Sequence, residues 1–345
     1  MEAIADPGLL LKVTPPKLRK TLLLRERLRR IGTAGDDSSV LLVEAPAGYG
    51  KTSLIAQWRL DWLQGGAAVG WLNLDAGDRP ITVVSGIALG LRRSMGRANF
   101  GADAIDAVRR GAGTASALTS LLAEITEASC PMVLVLDNGE RIGDAEAVDV
   151  IDYLLHNLPP NLRVVVGTRP PARTQVLDLL GQGLLRRVTA ADLCFDIPEA
   201  IHLLTARFGG RIDADLCARM HGITGGWPLG LQLAATALER SADPSRTIEE
   251  FSKSHDDATQ HLFESLVAAL PGELGQPSSL SPEAFAYPLD CPLESLPGGL
   301  VADAQLVGHE ARLGPAQLEE HPGVRGLAAQ PHHLHLPQPG HQRDL

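Results

Sequence analysis

One short glycine-containing segment, residues 45–52, constrains the fold of this chain more than any other feature. It reads Ala-Pro-Ala-Gly-Tyr-Gly-Lys-Thr. An apolar run rich in β-forming residues, 39–44, precedes it, and an amphipathic run with helical periodicity, 51–63, follows it. A buried strand, a glycine turn and a helix in this order predict the first unit of an α/β fold with a parallel sheet.

The segment fits the pattern GxxxxGK[ST], except that an alanine stands at the first glycine. Backbone N–H groups in such a loop point at phosphates, and the following helix N-terminus favours their negative charge. The lysine can reach the β- and γ-phosphates, and the threonine hydroxyl can ligate Mg²⁺. We therefore expect ATP or ADP to bind with Mg²⁺. The residues predicted to contact the nucleotide are Ala45, Pro46, Ala47, Gly48, Tyr49, Gly50, Lys51, Thr52 and Ser53.

Further apolar runs alternate with helical patterns up to about residue 190. The strand candidates are residues 67–74, 131–137, 162–168 and 185–188. Continuous apolar strands between helices are typical of a parallel sheet that is covered on both faces. The fold predicted is that of a P-loop NTPase, followed by a small α-helical domain and a poorly ordered tail.

Two residues at the end of the apolar run 131–137 bear on phosphate chemistry: its last residue, Asp137, and the one that follows, Asn138. Asp137 closes the run, where an aspartate that holds Mg²⁺ together with Thr52 is expected, although apolar runs ending in a solvent-facing Asp are common. Asn138 occupies the next position, where a second acidic residue would polarise the attacking water. An amide is a poor acceptor for a proton, so we expect slow or absent hydrolysis. Glu140 is a possible substitute for the missing acid.

Two later residues are candidates for contact with the nucleotide. Arg169 follows the strand at 162–168 and can act as a sensor of the γ-phosphate, or equally as a surface arginine before two prolines. Pro228 can press on the nucleotide from the helical domain, or only start a helix after the glycines at 225–226. The predicted catalytic group is therefore Lys51, Asp137, Asn138 and Arg169.

The C-terminal third of the chain changes character twice. From residue 198 the pattern is helical, whereas beyond about residue 274 proline, glycine and histidine accumulate and periodicity fades. The last stretch is interpreted as a diverged tail or as the product of a frameshift. The domains predicted are an N-terminal arm (1–30), a nucleotide-binding domain (31–190), a helical, winged-helix-like domain (191–274) and a low-order tail (275–345).

Charge and apolarity disfavour several function classes. A formal net charge of −10 argues against a large nucleic-acid footprint. The basic cluster at residues 17–30 is interpreted as a solvated, partly helical arm instead of a DNA contact. No apolar stretch reaches the length of a membrane helix, and the first residues lack the pattern of a signal peptide, so we expect a cytoplasmic protein without membrane contact.

An ordered series of short motifs resembles the N-terminal part of MalT-like regulators, the ATP-dependent LuxR-family transcription factors of the STAND class. The resemblance extends from about residue 11 to about residue 274. The matching segments lie at residues 11–18, 24–28, 45–52, 71–75, 134–137, 158–162, 168–169, 191–193 and 226–234.

The resemblance implies a signal-transduction switch. In such proteins ATP favours an oligomerising active form and ADP a resting form, so nucleotide-dependent self-association is expected, with an unknown inducer. The sensor of helical repeats and the DNA-binding helix-turn-helix that normally follow are not recognisable here. Two alternatives remain: a free-standing P-loop ATPase or small-molecule kinase, and a non-functional nucleotide-binding fragment. The arginines available for a kinase lid are Arg169, Arg173, Arg186 and Arg187.

Overall fold

The computed structural model describes residues 6–18, 22–33, 38–111, 113–172, 177–209 and 211–241. The predicted tail at 275–345 and a helix predicted at 254–270 lie outside these residues. Arg173 lies outside them too, as do Arg19 and Lys20 of the basic cluster.

Five parallel strands form one sheet in the order β2-β3-β4-β1-β5. The strands are β1 (Val40–Glu44), β2 (Ala68–Asn73), β3 (Met132–Asp137), β4 (Leu162–Thr168) and β5 (Leu185–Val188). The predicted parallel sheet is confirmed, and the bounds of β4 and β5 are those that the sequence indicates. The sequence pattern did not predict the strand order, which inserts β4 between β1 and β3.

Side chains of the central strands alternate between two separate cores. In β1, Val40 and Leu42 pack into the larger core, whereas Leu41 and Val43 pack into the smaller core on the opposite face. All five residues of β1 are buried. Burial on both faces explains why the strand reads as a continuous apolar run without alternating polar residues.

Helices cover both faces of the sheet, as predicted. α2 (Glu26–Thr33) and α3 (Lys51–Gln64) pack on the smaller core. The larger core is covered by α1 (Pro7–Lys12), α4 (Pro80–Met95), α5 (Ala102–Arg109), α6 (Thr114–Glu127) and α7 (Ala145–His156). After α7 come α8 (Leu177–Gly181) and α9 (Ala190–Leu193).

The helix α4 is much longer than the short pattern at residues 87–91 that the sequence indicates. Every residue from Val83 to Leu91 is buried, because the helix lies between β2 and the outer helices α5, α6 and α7. A helix that is apolar all round has no polar face from which its period can be read. Gly90 permits the close approach, since a Cβ there would lie 3.0 Å from the Trp71 carbonyl oxygen.

Three helices form a small domain after the sheet. They are α10 (Ile197–Phe208), α11 (Ala214–Thr224) and α12 (Pro228–Arg240). Leu204, Cys217 and Leu231 are fully buried in a core of their own. The helical character predicted here is confirmed, and residues 190–209 and 211–241 contain no strand that could form a wing.

The basic segment before α2 is not solvated throughout, because Arg25 is only 6% exposed. Its guanidinium forms a bidentate ion pair with Glu199 at 2.8 and 3.2 Å, and it also donates to the carbonyl oxygens of Leu193 (2.6 Å) and Cys194 (2.7 Å). The same group stacks over the Phe195 ring, 4.6 Å from its centroid. The sequence suggested a solvated cluster, because runs of charged residues are usually exposed to water. This arginine instead joins the chain before α2 to the helical domain.

We expect Arg25→Met to lower the free energy of unfolding by about 3 kcal/mol, because it removes the buried guanidinium that pairs with Glu199 and donates to the carbonyl oxygens of Leu193 and Cys194. Urea denaturation measures the change. The exposed Arg30 provides the matched control, Arg30→Met, which should stay within about 0.5 kcal/mol of the unmodified chain. Equal unfolding curves for the two variants would contradict the assigned role of Arg25.

Candidate nucleotide-binding site

The loop between β1 and α3 turns twice through left-handed backbone. Gly48 has φ +78° and Gly50 has φ +79°, a region that other residues adopt only with strain. The Ala45 N–H donates to the Thr168 carbonyl oxygen (3.3 Å), which ties the start of the loop to the end of β4. With Gly50 as its N-cap, α3 starts at Lys51, so the first N–H groups of the helix face the loop. This arrangement can hold an anion.

Lys51 folds over the loop that precedes it. Its Nζ donates to the carbonyl oxygens of Ala45 (2.7 Å) and Pro46 (2.9 Å). Burial lowers the pKa of Lys51 to about 8, while the negative charge of Glu140 acts in the opposite direction. A largely desolvated ammonium group at the mouth of this loop is suited to binding phosphate.

Thr52 and Asp137 meet as the sequence predicts. The Thr52 Oγ1 donates to Asp137 Oδ2 at 2.8 Å, and the Asp137 side chain is 1% exposed. Burial raises the pKa of Asp137, whereas the hydrogen bonds from Thr52 and from the Asn138 N–H lower it. A hydroxyl and a carboxylate oxygen are ligands that Mg²⁺ uses when water and phosphate complete its shell. Within the described residues, no group of three or more His, Cys, Asp or Glu forms a metal site of another kind.

Gly167 gives the Asp137 carboxylate its space. The two residues lie beside each other on the paired strands β4 and β3, where Val166 is in register with Leu136. A Cβ at position 167 would lie 2.7 Å from Asp137 Oδ1 and 3.0 Å from Ile55 Cδ1. The glycine is therefore required by the carboxylate, which sequence inspection did not reveal.

A tight turn after β3 redirects the chain toward the end of β4. Asn138 adopts left-handed backbone (φ 62°), and its N–H caps Asp137 Oδ1 at 3.0 Å. The turn presents Glu140, which accepts from the Arg169 Nε (3.0 Å) and from the Arg169 backbone N–H (3.2 Å). Arg169 is thus a half-buried ion-pair partner and not a solvent-facing surface arginine, and Asn138 does not share this contact.

The helical domain contacts the phosphate-binding loop directly. The Leu229 N–H, in the first turn of α12, donates to the Gly48 carbonyl oxygen at 3.0 Å. The Trp227 ring lies 6.5 Å from the Tyr49 ring between centroids. A Cβ at Gly48 would lie 2.8 Å from the Leu229 Cβ, so this glycine is needed for close packing as well as for its backbone angle.

A cleft opens between the start of α3, the segment before α2 and the helical domain. Pro228 begins α12 and lines this cleft together with Tyr49 and Gly50 of the loop and Ser53 of α3, so the structure brings these four predicted residues together. The cleft also includes residues that sequence inspection missed, because they come from elements that lie far apart in the sequence. Among these are Leu22, Leu23, Gln57, Phe195, Leu203 and Gln232.

Two of the arginines suggested for a kinase lid, Arg169 and Arg187, are held in separate ion pairs. Arg187, on β5, pairs with the buried carboxylate of Glu44 at the end of β1. Arg169 pairs with Glu140.

The described helices include none with the length and apolarity that a membrane crossing requires.

The parallel sheet, the glycine loop after β1 and the aspartate that ends β3 define a P-loop NTPase fold. No family model matches the chain. Serine/threonine-protein kinase PknK of Mycobacterium tuberculosis is 30% identical over 273 residues, which are 76% of this chain and 24% of PknK. HTH-type transcriptional regulator MalT of Klebsiella pneumoniae is 26% identical over 258 residues, 74% of this chain and 28% of MalT. The resemblance to MalT-like regulators is thereby confirmed, and this chain is a homologue of one part of them.

These relatives are much longer than the region they share with this chain. The chain spans about a quarter of the length of PknK and of MalT. Among solved structures, the Walker-type ATPase PABY2304 of Pyrococcus abyssi is similar with a TM-score of 0.47 and 14% identity, over 80% of this chain and 81% of that one. Cdc6p from Pyrobaculum aerophilum has a TM-score of 0.42 and 16% identity, over 77% and 74% of the two chains.

We expect Gly167→Ala to destabilise the fold by about 1–3 kcal/mol, since the added methyl group would overlap the Asp137 carboxylate and the Ile55 side chain. Gly181→Ala is the matched control, because a Cβ there meets open space at the end of α8. Thermal unfolding measures both variants. A midpoint for Gly167→Ala at or above that of Gly181→Ala would contradict the tight packing around Asp137.

Proposed function

We propose that this chain binds ATP and ADP with Mg²⁺ and acts as the nucleotide-dependent switch module of a MalT-like regulator. The loop at residues 45–52 supports the binding of phosphates, because it turns through two left-handed glycines directly into a helix N-terminus, whose free N–H groups favour an anion. Lys51, whose Nζ now donates to the carbonyl oxygens of Ala45 and Pro46 in this loop, would bind the terminal phosphates. Mg²⁺ would be held by Thr52 and Asp137, where it would offset negative charge on the phosphates.

The cleft beside the loop supports a nucleotide as the ligand instead of a simple phosphate. It begins at Gly50 and Ser53, where the phosphates would end, and its walls include the apolar side chains of Leu22, Phe195 and Pro228. Such walls suit the faces of a purine ring. We assign the base and ribose to this cleft.

The observation that carries the switch is the hydrogen bond from the Leu229 N–H to the Gly48 carbonyl oxygen at 3.0 Å. It connects the first turn of α12 to the middle of the loop that would bind the phosphates. A change in the loop on binding therefore acts on the position of the helical domain. A ligand shifts the equilibrium between two positions of the helical domain only as far as it binds one of them better than the other. Phosphates bound at the loop would act on this equilibrium through the Gly48 carbonyl, which accepts from Leu229.

We expect Lys51→Ala to reduce the affinity for both ATP and ADP by about tenfold or more, because the charge-assisted contacts with phosphate are lost. Titration calorimetry with Mg²⁺ measures the affinities. The exposed Lys17 provides the control variant Lys17→Ala, which should bind as the unmodified chain does. Absence of nucleotide binding in the unmodified chain would refute the proposed function.

The switch predicts that a non-hydrolysable ATP analogue, and not ADP, increases the mass of the protein in solution. Light scattering after size-exclusion chromatography measures this mass in each nucleotide, with Lys51→Ala as the control that should respond to neither. Equal mass in both nucleotides would leave a nucleotide-binding fragment without switching. Phosphate transfer to an added small-molecule acceptor would instead support the kinase alternative.

A further inference from the structure

The turn after β3 brings the carboxylate of Glu140 to the site, three residues after Asp137. Asn138 forms the turn itself. Its backbone is left-handed, and its N–H donates to Asp137 Oδ1. Gly139 then passes close to the end of β4, since a Cβ there would lie 3.3 Å from the Thr168 Cβ. This close approach sets the Glu140 side chain beside Arg169.

Glu140 and Arg169 lie within electrostatic reach of the phosphate-binding lysine. The negative charge of Glu140 raises the pKa of Lys51, and the positive charge of Arg169 lowers it. Glu140 also raises the pKa of Asp137. Both side chains are 19% exposed, so water reaches them although the pair is largely enclosed. The site therefore contains an ion pair, Glu140 with Arg169, whose charges act on the lysine, and the charge of Glu140 acts on the predicted Mg²⁺ ligand as well.

We propose that Glu140 is the carboxylate that activates the attacking water for ATP hydrolysis, and that Arg169 withholds it until a γ-phosphate takes Arg169 as its partner. The proposal rests on the function proposed above. A guanidinium binds a phosphate group as it binds a carboxylate, by parallel charge-assisted hydrogen bonds, so the two acceptors compete for Arg169. ADP offers no γ-phosphate, and the pair with Glu140 then stays closed.

The reaction balances without any further reactant. The water oxygen bonds to the γ-phosphorus while the bond from that phosphorus to the β–γ bridging oxygen breaks, and its electron pair remains on ADP. One proton of the water passes to the Glu140 carboxylate and is later released to solvent. The other proton stays on the phosphate product. The Asn138 amide cannot accept this proton, whereas Glu140 can.

The test compares Glu140→Gln and Arg169→Ala with the unmodified chain in calorimetric binding and in ATP hydrolysis. Glu140→Gln should abolish most hydrolysis, by about a hundredfold. It should also bind ATP roughly twofold to fivefold more tightly, because Arg169 no longer has to leave a partly exposed ion pair, while ADP affinity stays unchanged. Arg169→Ala should lose about tenfold in ATP affinity alone. The exposed Glu127 gives the control Glu127→Gln, which should change neither property.

Several results would overturn the proposal and leave nucleotide binding standing. These are hydrolysis by Glu140→Gln at the normal rate, equal shifts of ATP and ADP affinity in either variant, and ATP binding without hydrolysis in the unmodified chain. An unchanged ATP affinity in Glu140→Gln would contradict the exchange of partners even if hydrolysis stops. Loss of both nucleotides already in the unmodified chain would instead refute the proposed function itself.

Discussion

The parallel register of β3, β4 and β1 is the constraint on which the candidate site depends. It places the ends of three strands side by side, with Glu44 opposite Thr168 and Leu136 opposite Val166. Each strand contributes one element at its end: the glycine loop after β1, Asp137 as the last residue of β3, and Arg169 after β4. Because parallel strands end at the same edge of the sheet, three segments that are distant in the sequence meet there, and the pairs Thr52–Asp137 and Glu140–Arg169 connect them.

The buried guanidinium of Arg25 joins the segment before α2 to the helical domain. Arg25 satisfies two carbonyl oxygens at the end of α9 and the carboxylate of Glu199 in the first turn of α10. Burial alone would raise the pKa of Glu199, but the arginine lowers it. The segment before α2 therefore fixes where the helical domain begins relative to α3. At the phosphate-binding loop a single residue likewise has two roles, because Gly48 allows both the left-handed backbone and the close packing of Leu229.

Most of the sheet and the local geometry of the loop could be predicted from the sequence, since each is encoded by neighbouring residues. The continuous apolar runs predicted all five strands within one residue at either end, and the contact of Thr52 with Asp137 could be predicted from their motif positions, after the loop lysine and at the end of an apolar run. The burial of Arg25, the pairing of Glu140 with Arg169 and the need for Gly167 could not be predicted. Each depends on residues from separate elements, whose distance only the strand order determines. The helix α4 was underestimated for a different reason, because uniform burial removes its period.

The contact between α12 and the phosphate-binding loop consists of backbone atoms on both sides, the Leu229 N–H and the Gly48 carbonyl. Every amino acid except proline offers that N–H, and every amino acid offers that carbonyl. Substitutions along α12 can therefore accumulate without removing the hydrogen bond, provided that the helix keeps its start at Pro228. A lineage descended from this chain could diverge widely in the side chains of the helical domain and still retain the same mechanical connection to the loop.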